Sequence, residues 1–157
     1  MGVILITVSG LWGTKSYVDF SAQQIRLLKE WLKIFTFWRD QIENYGFSVA
    51  EIISNLSKDA SLQSLSVSRL IADKTPEEIL AILQADNVLP AEQKTLIAEV
   101  IRELGTTLSR TQTERLVRAE SALVTSIEEK EHCLKERSAM LYKLVPLLCG
   151  AVAVLLW

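Results

Sequence analysis

Thr111-Gln112-Thr113-Glu114 opens a run that ends in Leu144-Val145-Pro146-Leu147-Leu148-Cys149-Gly150-Ala151-Val152-Ala153-Val154-Leu155-Leu156-Trp157. The first four residues read as a capping box, in which a Thr side chain accepts a backbone N–H three residues on and Glu114 reaches back. About 30 residues without Gly or Pro follow, rich in Glu, Lys, Arg, Ala and Leu. Leu116, Ala119, Leu123, Ile127, Leu134 and Leu141 recur at three-, four- and seven-residue steps, which is one apolar stripe on a helix. From Leu144 onward there is no charge at all. The spacing predicts one long helix that starts in water, packs along a bundle and ends in a lipid bilayer.

A full span needs about 20 apolar residues, and the charge-free run 144–157 has 14. Tyr142 and Lys143 extend it, because a lysine stem buries in lipid while its ammonium reaches the interface. Pro146 is expected to kink the helix or to mark the water–lipid boundary. The alternative is a buried core helix. A terminal run with no polar residue to return it to water favours lipid.

The opposite end has a similar character. Met1-Gly2-Val3-Ile4-Leu5-Ile6-Thr7-Val8-Ser9-Gly10-Leu11-Trp12-Gly13 lacks the basic start of a secretory signal and shows no small-residue cleavage site before Lys15. Ile6 stands where a myristoylation motif needs Ser or Thr. Carried through Val18, the segment is long enough for a short or tilted span. Trp12 and Tyr17 suit an interface belt, and Gly2, Gly10 and Gly13 permit close helix packing. A buried N-terminal strand or helix is the competing reading. Lys15, Arg26 and Lys29 flank this end, and Lys135, Arg137 and Lys143 flank the other. The positive-inside rule then places the middle of the chain in the cytoplasm.

With 157 residues the chain has the length of one domain. Hydrophobic residues make up 49%, and the surplus lies at the two ends. A net charge of −2 gives no reason to expect nucleic acid as a partner. Cys133 and Cys149, on one helix, would stand about 24 Å apart, too far to bridge, so both are expected as reduced thiols.

Between the ends the pattern is helical throughout. Ser21 to Tyr45 carries an aromatic stripe of Trp31, Phe35, Trp38, Ile42 and Tyr45, extended by Ile25 and Leu28, and Gly46 stops it. Ser48-Val49-Ala50-Glu51 is a second capping box, with Val49, Ile52, Ile53 and Leu56 inward. Serine-rich 57–68 reads as a loop and a short helix, with Leu62, Leu65 and Leu70 as apolar points. Thr75-Pro76-Glu77-Glu78 is the sharpest start signal: Thr as N-cap, Pro in the first turn, acids against the dipole. Ile79, Leu80, Ile82 and Leu83 follow it. Pro90 opens a helix with Leu96, Ile97, Val100, Ile101 and Leu104 inward, closed by Gly105. The expected fold is therefore all-α. A bundle of five to six helices over residues 19–143 is flanked by transmembrane segments at 1–18 and 144–157, the latter continuous with the helix from about 111.

Chemistry is sparse. The one histidine, His132, sits beside Cys133, but adjacent helical residues point about 100° apart, so the two share no face. A metal site needs several converging ligands, and a nucleophilic cysteine needs a base and an oxyanion hole. No Gly-rich phosphate loop or G-x-S-x-G motif occurs. Glu128-Glu129-Lys130-Glu131 reads as a solvated helix face with i,i+3 and i,i+4 pairs. No catalytic, cofactor-binding or metal-ligating residue is expected, and no cofactor. The residues point to a docking module tied to a bilayer at both ends.

Several stretches together resemble a known family. Leu11-Trp12-Gly13 with Tyr17 precedes Gln24-Ile25-Arg26-Leu27-Leu28. Gln41-Ile42-Glu43-Asn44-Tyr45-Gly46 forms an acidic-aromatic-glycine helix end. Val100-Ile101-Arg102-Glu103-Leu104-Gly105-Thr106-Thr107-Leu108 is like a Phe-Gly-x-x-Leu-Gly turn in its Leu104-Gly105, and Lys143-Leu144 leads into the terminal apolar run. In order, spacing and length over nearly the whole chain this resembles the stage III sporulation protein AB family (SpoIIIAB), related to the type II secretion platform protein GspF. Where that family continues Leu-Gly-x-x-Asp, this chain has Leu108-Ser109-Arg110-Thr111-Gln112, and the turn there is expected to differ.

The resemblance implies a non-enzymatic component of the SpoIIIA–SpoIIQ channel complex of endospore formers. It would lie in the mother-cell membrane facing the forespore. The GspF-like bundle would face the mother-cell cytoplasm and couple a SpoIIIAA-type secretion ATPase to the other SpoIIIA proteins in the membrane. GspF carries two such bundles, so a homo-oligomer would supply the second. A generic membrane-anchored helical adaptor outside sporulation, or an enzyme acting on lipid at the bilayer surface, are the other classes.

Overall fold

The computed structural model describes the backbone of residues 2–46, 48–104 and 109–155, and the side chains of 15–46, 48–104, 110–141, 143, 144, 147, 148 and 151. Six helices account for most of it: α1 (Gly2–Tyr45), α2 (Val49–Leu56), α3 (Ser66–Ile71), α4 (Pro76–Ala85), α5 (Ala91–Glu103) and α6 (Ser109–Leu155). There is no strand among the described residues. The chain divides into two compact units, one of Arg26–Ile127 and one of the two chain ends, Met1–Ile25 with Glu128–Trp157.

Within Arg26–Ile127 the core is built from the expected stripes. Leu28, Trp31, Ile34, Phe35, Trp38 and Ile42 of α1 are buried, as are Leu116, Ala119, Leu123 and Ile127 of α6. Ile52, Ile53 and Leu56 of α2, Ile79 and Leu83 of α4, and Ile97, Val100 and Ile101 of α5 close around them. Phe35 lies between two indoles, edge-on to Trp31 with centroids 6.0 Å apart and tilted against Trp38 at 5.7 Å. Such ring pairs add about 0.5–1.5 kcal/mol each beyond the area they bury.

Local signals set most helix ends. Gly46, at φ 60°, takes the left-handed turn that ends α1, and its N–H donates to the Ile42 carbonyl at 3.2 Å. Glu51 accepts from the Ser48 N–H at 2.8 Å and the Ser48 hydroxyl at 2.7 Å. At Thr75 both halves of the box form: Thr75 N–H donates to Glu78 at 2.8 Å, and Glu78 N–H donates to Thr75 Oγ1 at 3.3 Å. Pro90 stands at the N-cap of α5.

Several expectations need correction. One helix, not a segment to Val18 and a second from Ser21, covers Gly2–Tyr45, because no residue between Thr14 and Tyr45 is Gly or Pro. The last helix begins at Ser109, so Thr111–Glu114 lies inside it rather than capping it, and Glu114 stands 3.6 Å from Arg110 one turn earlier. Tyr45, placed on the aromatic stripe, and Leu70, one of the expected apolar points, are exposed at 65% and 56%. Each lies at or next to the last residue of its helix, where the apolar pattern outlasts the packing surface. Val49, Leu80, Ile82 and Leu96 are only half-buried. The α6 backbone stays helical through Pro146.

Among the described residues no helix is long and apolar enough to cross a membrane. The transmembrane readings of 1–18 and 144–157 fall largely on side chains outside that description: those of 1–14 and most of those beyond Leu144. Gly105, expected to close α5, and Phe47 also lie outside it.

Candidate docking surfaces

Two kinds of surface emerge from these helices. The first belongs to the unit of the chain ends. On α6, Met140, Leu144, Leu147 and Leu148 expose 65%, 47%, 70% and 63% of their surface. Leu144, Leu147 and Leu148 stand at i, i+3 and i+4, so one helix face presents leucine to its surroundings. On α1, Tyr17 and Phe20 are exposed as well. A soluble helix turns such a face toward a core, and a contiguous exposed apolar patch of this kind marks a protein or membrane contact.

The two helices of this unit meet through a polar pair. Arg137 Nη1 donates to the Tyr17 hydroxyl at 2.9 Å. That bond, followed by Cys133 one turn back, holds the guanidinium above its ordinary pKa. His132 is 75% exposed, with Nδ1 3.7 Å from Glu136, and Cys133 is half-buried. Glu128, Glu129 and Glu131 are exposed on the same helix. The structure does not draw these residues into a common site: among the described residues no group of three or more His, Cys, Asp or Glu could hold a metal ion.

The second kind lies on the compact bundle. A cleft of about 790 Å³ opens between the starts of α2 and α4, lined by Ser48, Val49, Ile53, Asp73, Thr75 and Leu104. At the same two helix starts, acids serve capping: the Ser48 hydroxyl and then its N–H keep Glu51 below the usual carboxylate pKa, and the Thr75 N–H does most to lower Glu78. A smaller groove of about 420 Å³ runs between α5 and α6, past Leu96, Glu99, Arg118, Ala119 and Ala122.

Two polar contacts within the bundle carry no sequence signature. Glu30 of α1 is buried, and its Oε2 accepts from the Ser66 hydroxyl at 2.7 Å and the Val67 N–H at 2.9 Å. It caps α3, whose own N-cap, Leu65, has no side-chain acceptor. Arg39 of α1 pairs with Glu120 of α6, whose second carboxylate oxygen is buried without a partner. Desolvation raises the pKa of Glu120 against the opposing pull of Arg39. Neither contact could be read from periodicity, since each joins positions dozens of residues apart.

Compared with known proteins, the chain matches no family model, no curated protein and no solved structure.

Proposed function

We propose that this chain is a non-enzymatic, membrane-anchored scaffold of the SpoIIIAB kind, related to the GspF platform. In this reading the helical bundle faces the mother-cell cytoplasm and docks a SpoIIIAA-type ATPase. The apolar ends join the other SpoIIIA proteins in the membrane facing the forespore, and a second copy of the chain supplies a second bundle. The observation that carries the membrane part is the exposed face of Met140, Leu144, Leu147 and Leu148, which runs straight into a charge-free sequence. Water is a poor solvent for that face, at roughly 25 cal/mol for each Å² of apolar surface. The bundle supports the rest: an all-helical body with exposed grooves is what a docking module requires.

The test is a pull-down of the full chain from membranes of a sporulating cell, read by mass spectrometry. Enrichment of a SpoIIIAA-type ATPase together with other SpoIIIA proteins is the expected result. Recovery in the membrane fraction with none of them would favour the adaptor outside sporulation. Recovery as a monodisperse aqueous monomer would overturn both.

A further inference from the structure

The charges around the apolar ends are ordered along the helices. Glu128, Glu129 and Glu131, with Lys130 among them, form a net acidic stretch farther from the apolar run of α6, and Lys135, Arg137 and Lys143 lie nearer to it. All but Lys130 are exposed. At 1.5 Å per residue the three nearer basic positions span about 12 Å of helix, and at 100° per residue they point in different directions around it. They form a collar rather than a stripe. The first helix adds to that collar. Tyr17 accepts a hydrogen bond from Arg137, which brings α1 beside α6 at this level, and Lys15, two residues nearer the apolar end of α1, is exposed. Asp19 and Glu136 are the acids within the same zone, so it carries four positive charges against two negative, in a chain whose net charge is −2.

From this ordering we infer that the collar of Lys15, Lys135, Arg137 and Lys143 binds the phosphate groups of anionic phospholipids. The inference rests on the membrane reading above and adds the lipid class. Arg137 spends one N–H on Tyr17 and keeps other donors of its guanidinium for a phosphate. Lysine stems lie along apolar surface while their ammonium groups reach the headgroup layer. The bilayer is the occupant because leucines exposed on one side of the collar and acids on the other match an apolar interior and an anionic surface that repels acid. A protein partner would have no reason to require that axial order.

The test uses the full chain reconstituted into phosphatidylcholine vesicles and into vesicles containing phosphatidylglycerol, checked by flotation. Brominated forms of each lipid then compete to quench tryptophan fluorescence. Trp12 and Trp157 belong to the apolar ends in sequence, whereas Trp31 and Trp38 are buried in the bundle and serve as the unquenched background. Phosphatidylglycerol is expected to be preferred, by up to about five-fold for each basic side chain that reaches the surface. The preference should shrink in high salt and in the combined variant Lys135→Gln, Arg137→Gln, Lys143→Gln, which should still float. Equal quenching by the two lipids in the wild-type chain overturns the headgroup inference and leaves the membrane reading standing. Failure to float with either vesicle overturns both.

Discussion

Arg39 on α1 donates a hydrogen bond to Glu120 on α6 across 2.6 Å, tying together two residues 81 positions apart. The two ends of the tie differ. Arg39 keeps 26% of its side chain in solvent and has Asp40 at 3.7 Å, whereas Glu120 keeps 13% and leaves one oxygen buried and unbonded. Removing Arg39 therefore strands a carboxylate, and removing the charge of Glu120 leaves Arg39 with water and Asp40. Arg39→Ala is expected to cost about 1–3 kcal/mol, below the figure for a fully buried pair because the site is partly wet. Glu120→Gln is expected to cost less, and urea midpoints of the two variants decide the order.

The same carboxyl sets a pH dependence of unusual sign. Its folded pKa is raised, so the fold holds that proton more tightly than the unfolded chain does. This contribution is present below the ordinary value of 4.5 and is lost as pH rises through the folded value. Glu120→Gln removes the titration. Relative to wild type, the variant is expected to gain stability as pH climbs from 4 toward 7, and a constant difference across that range would contradict the desolvation argument.

Glu51 and Glu78 titrate the other way. Both are held below 4.5 by the bonds they accept at the starts of α2 and α4. Their contribution is complete above 4.5 and disappears as pH falls through the lowered folded values. Denaturation from pH 7 to pH 3 should show a shallower acid limb in Glu78→Gln than in wild type. Thr75→Ala, which removes the reciprocal half of the box, is expected to cost about 1 kcal/mol.

Trp38 is among the largest fully buried side chains, and its indole N–H has no hydrogen-bond partner among the described residues. Trp38→Ala is expected to cost about 3–5 kcal/mol through the cavity it leaves. Trp38→Phe keeps the ring against Phe35 and discards the orphaned donor, so it should cost much less. Thermal melts of the two variants separate cavity from polarity. Similar losses in both would mean that the indole shape, not its volume, is what the core requires.

With both ends read as anchors, a chain lacking residues 1–18 is expected to stay in the membrane fraction through a carbonate wash, and one lacking both 1–18 and 144–157 to leave it. Equal retention of these two chains would contradict a C-terminal anchor.

Much of the fold could be read from local pattern because its causes are local. Gly46 turns left-handed because only its lack of a Cβ makes that turn easy, and Thr75-Pro76-Glu77-Glu78 carries its own cap, first-turn proline and dipole-facing acids. The aromatic stripe identified the core from Leu28 to Ile42. Pattern failed where a cause lay elsewhere. Thr111-Gln112-Thr113-Glu114 has the composition of a cap, but helix propensity carries α6 two residues upstream. Tyr45 continues the aromatic stripe beyond the surface that would cover it, and Leu70 is an apolar point left exposed. Glu30 and Glu120, the two acids that join distant elements, look like ordinary solvated positions until the helices are assembled. Of the candidate docking face, the leucines and basic residues were visible as composition, whereas the bond between Arg137 and Tyr17 needed the paired helices.

The cap that Glu30 provides for α3 also bears on the order of events in folding. Six residues are too few to hold a helix on their own, because the nucleus is unfavourable and few bonds follow it. Ser66 and Val67 receive their acceptor only when a carboxylate from 36 positions earlier has arrived. The turn at Ser66–Ile71 is therefore expected to order only once α1 stands beside it, and its amides to exchange with solvent sooner than those of the long helices when the native state breathes.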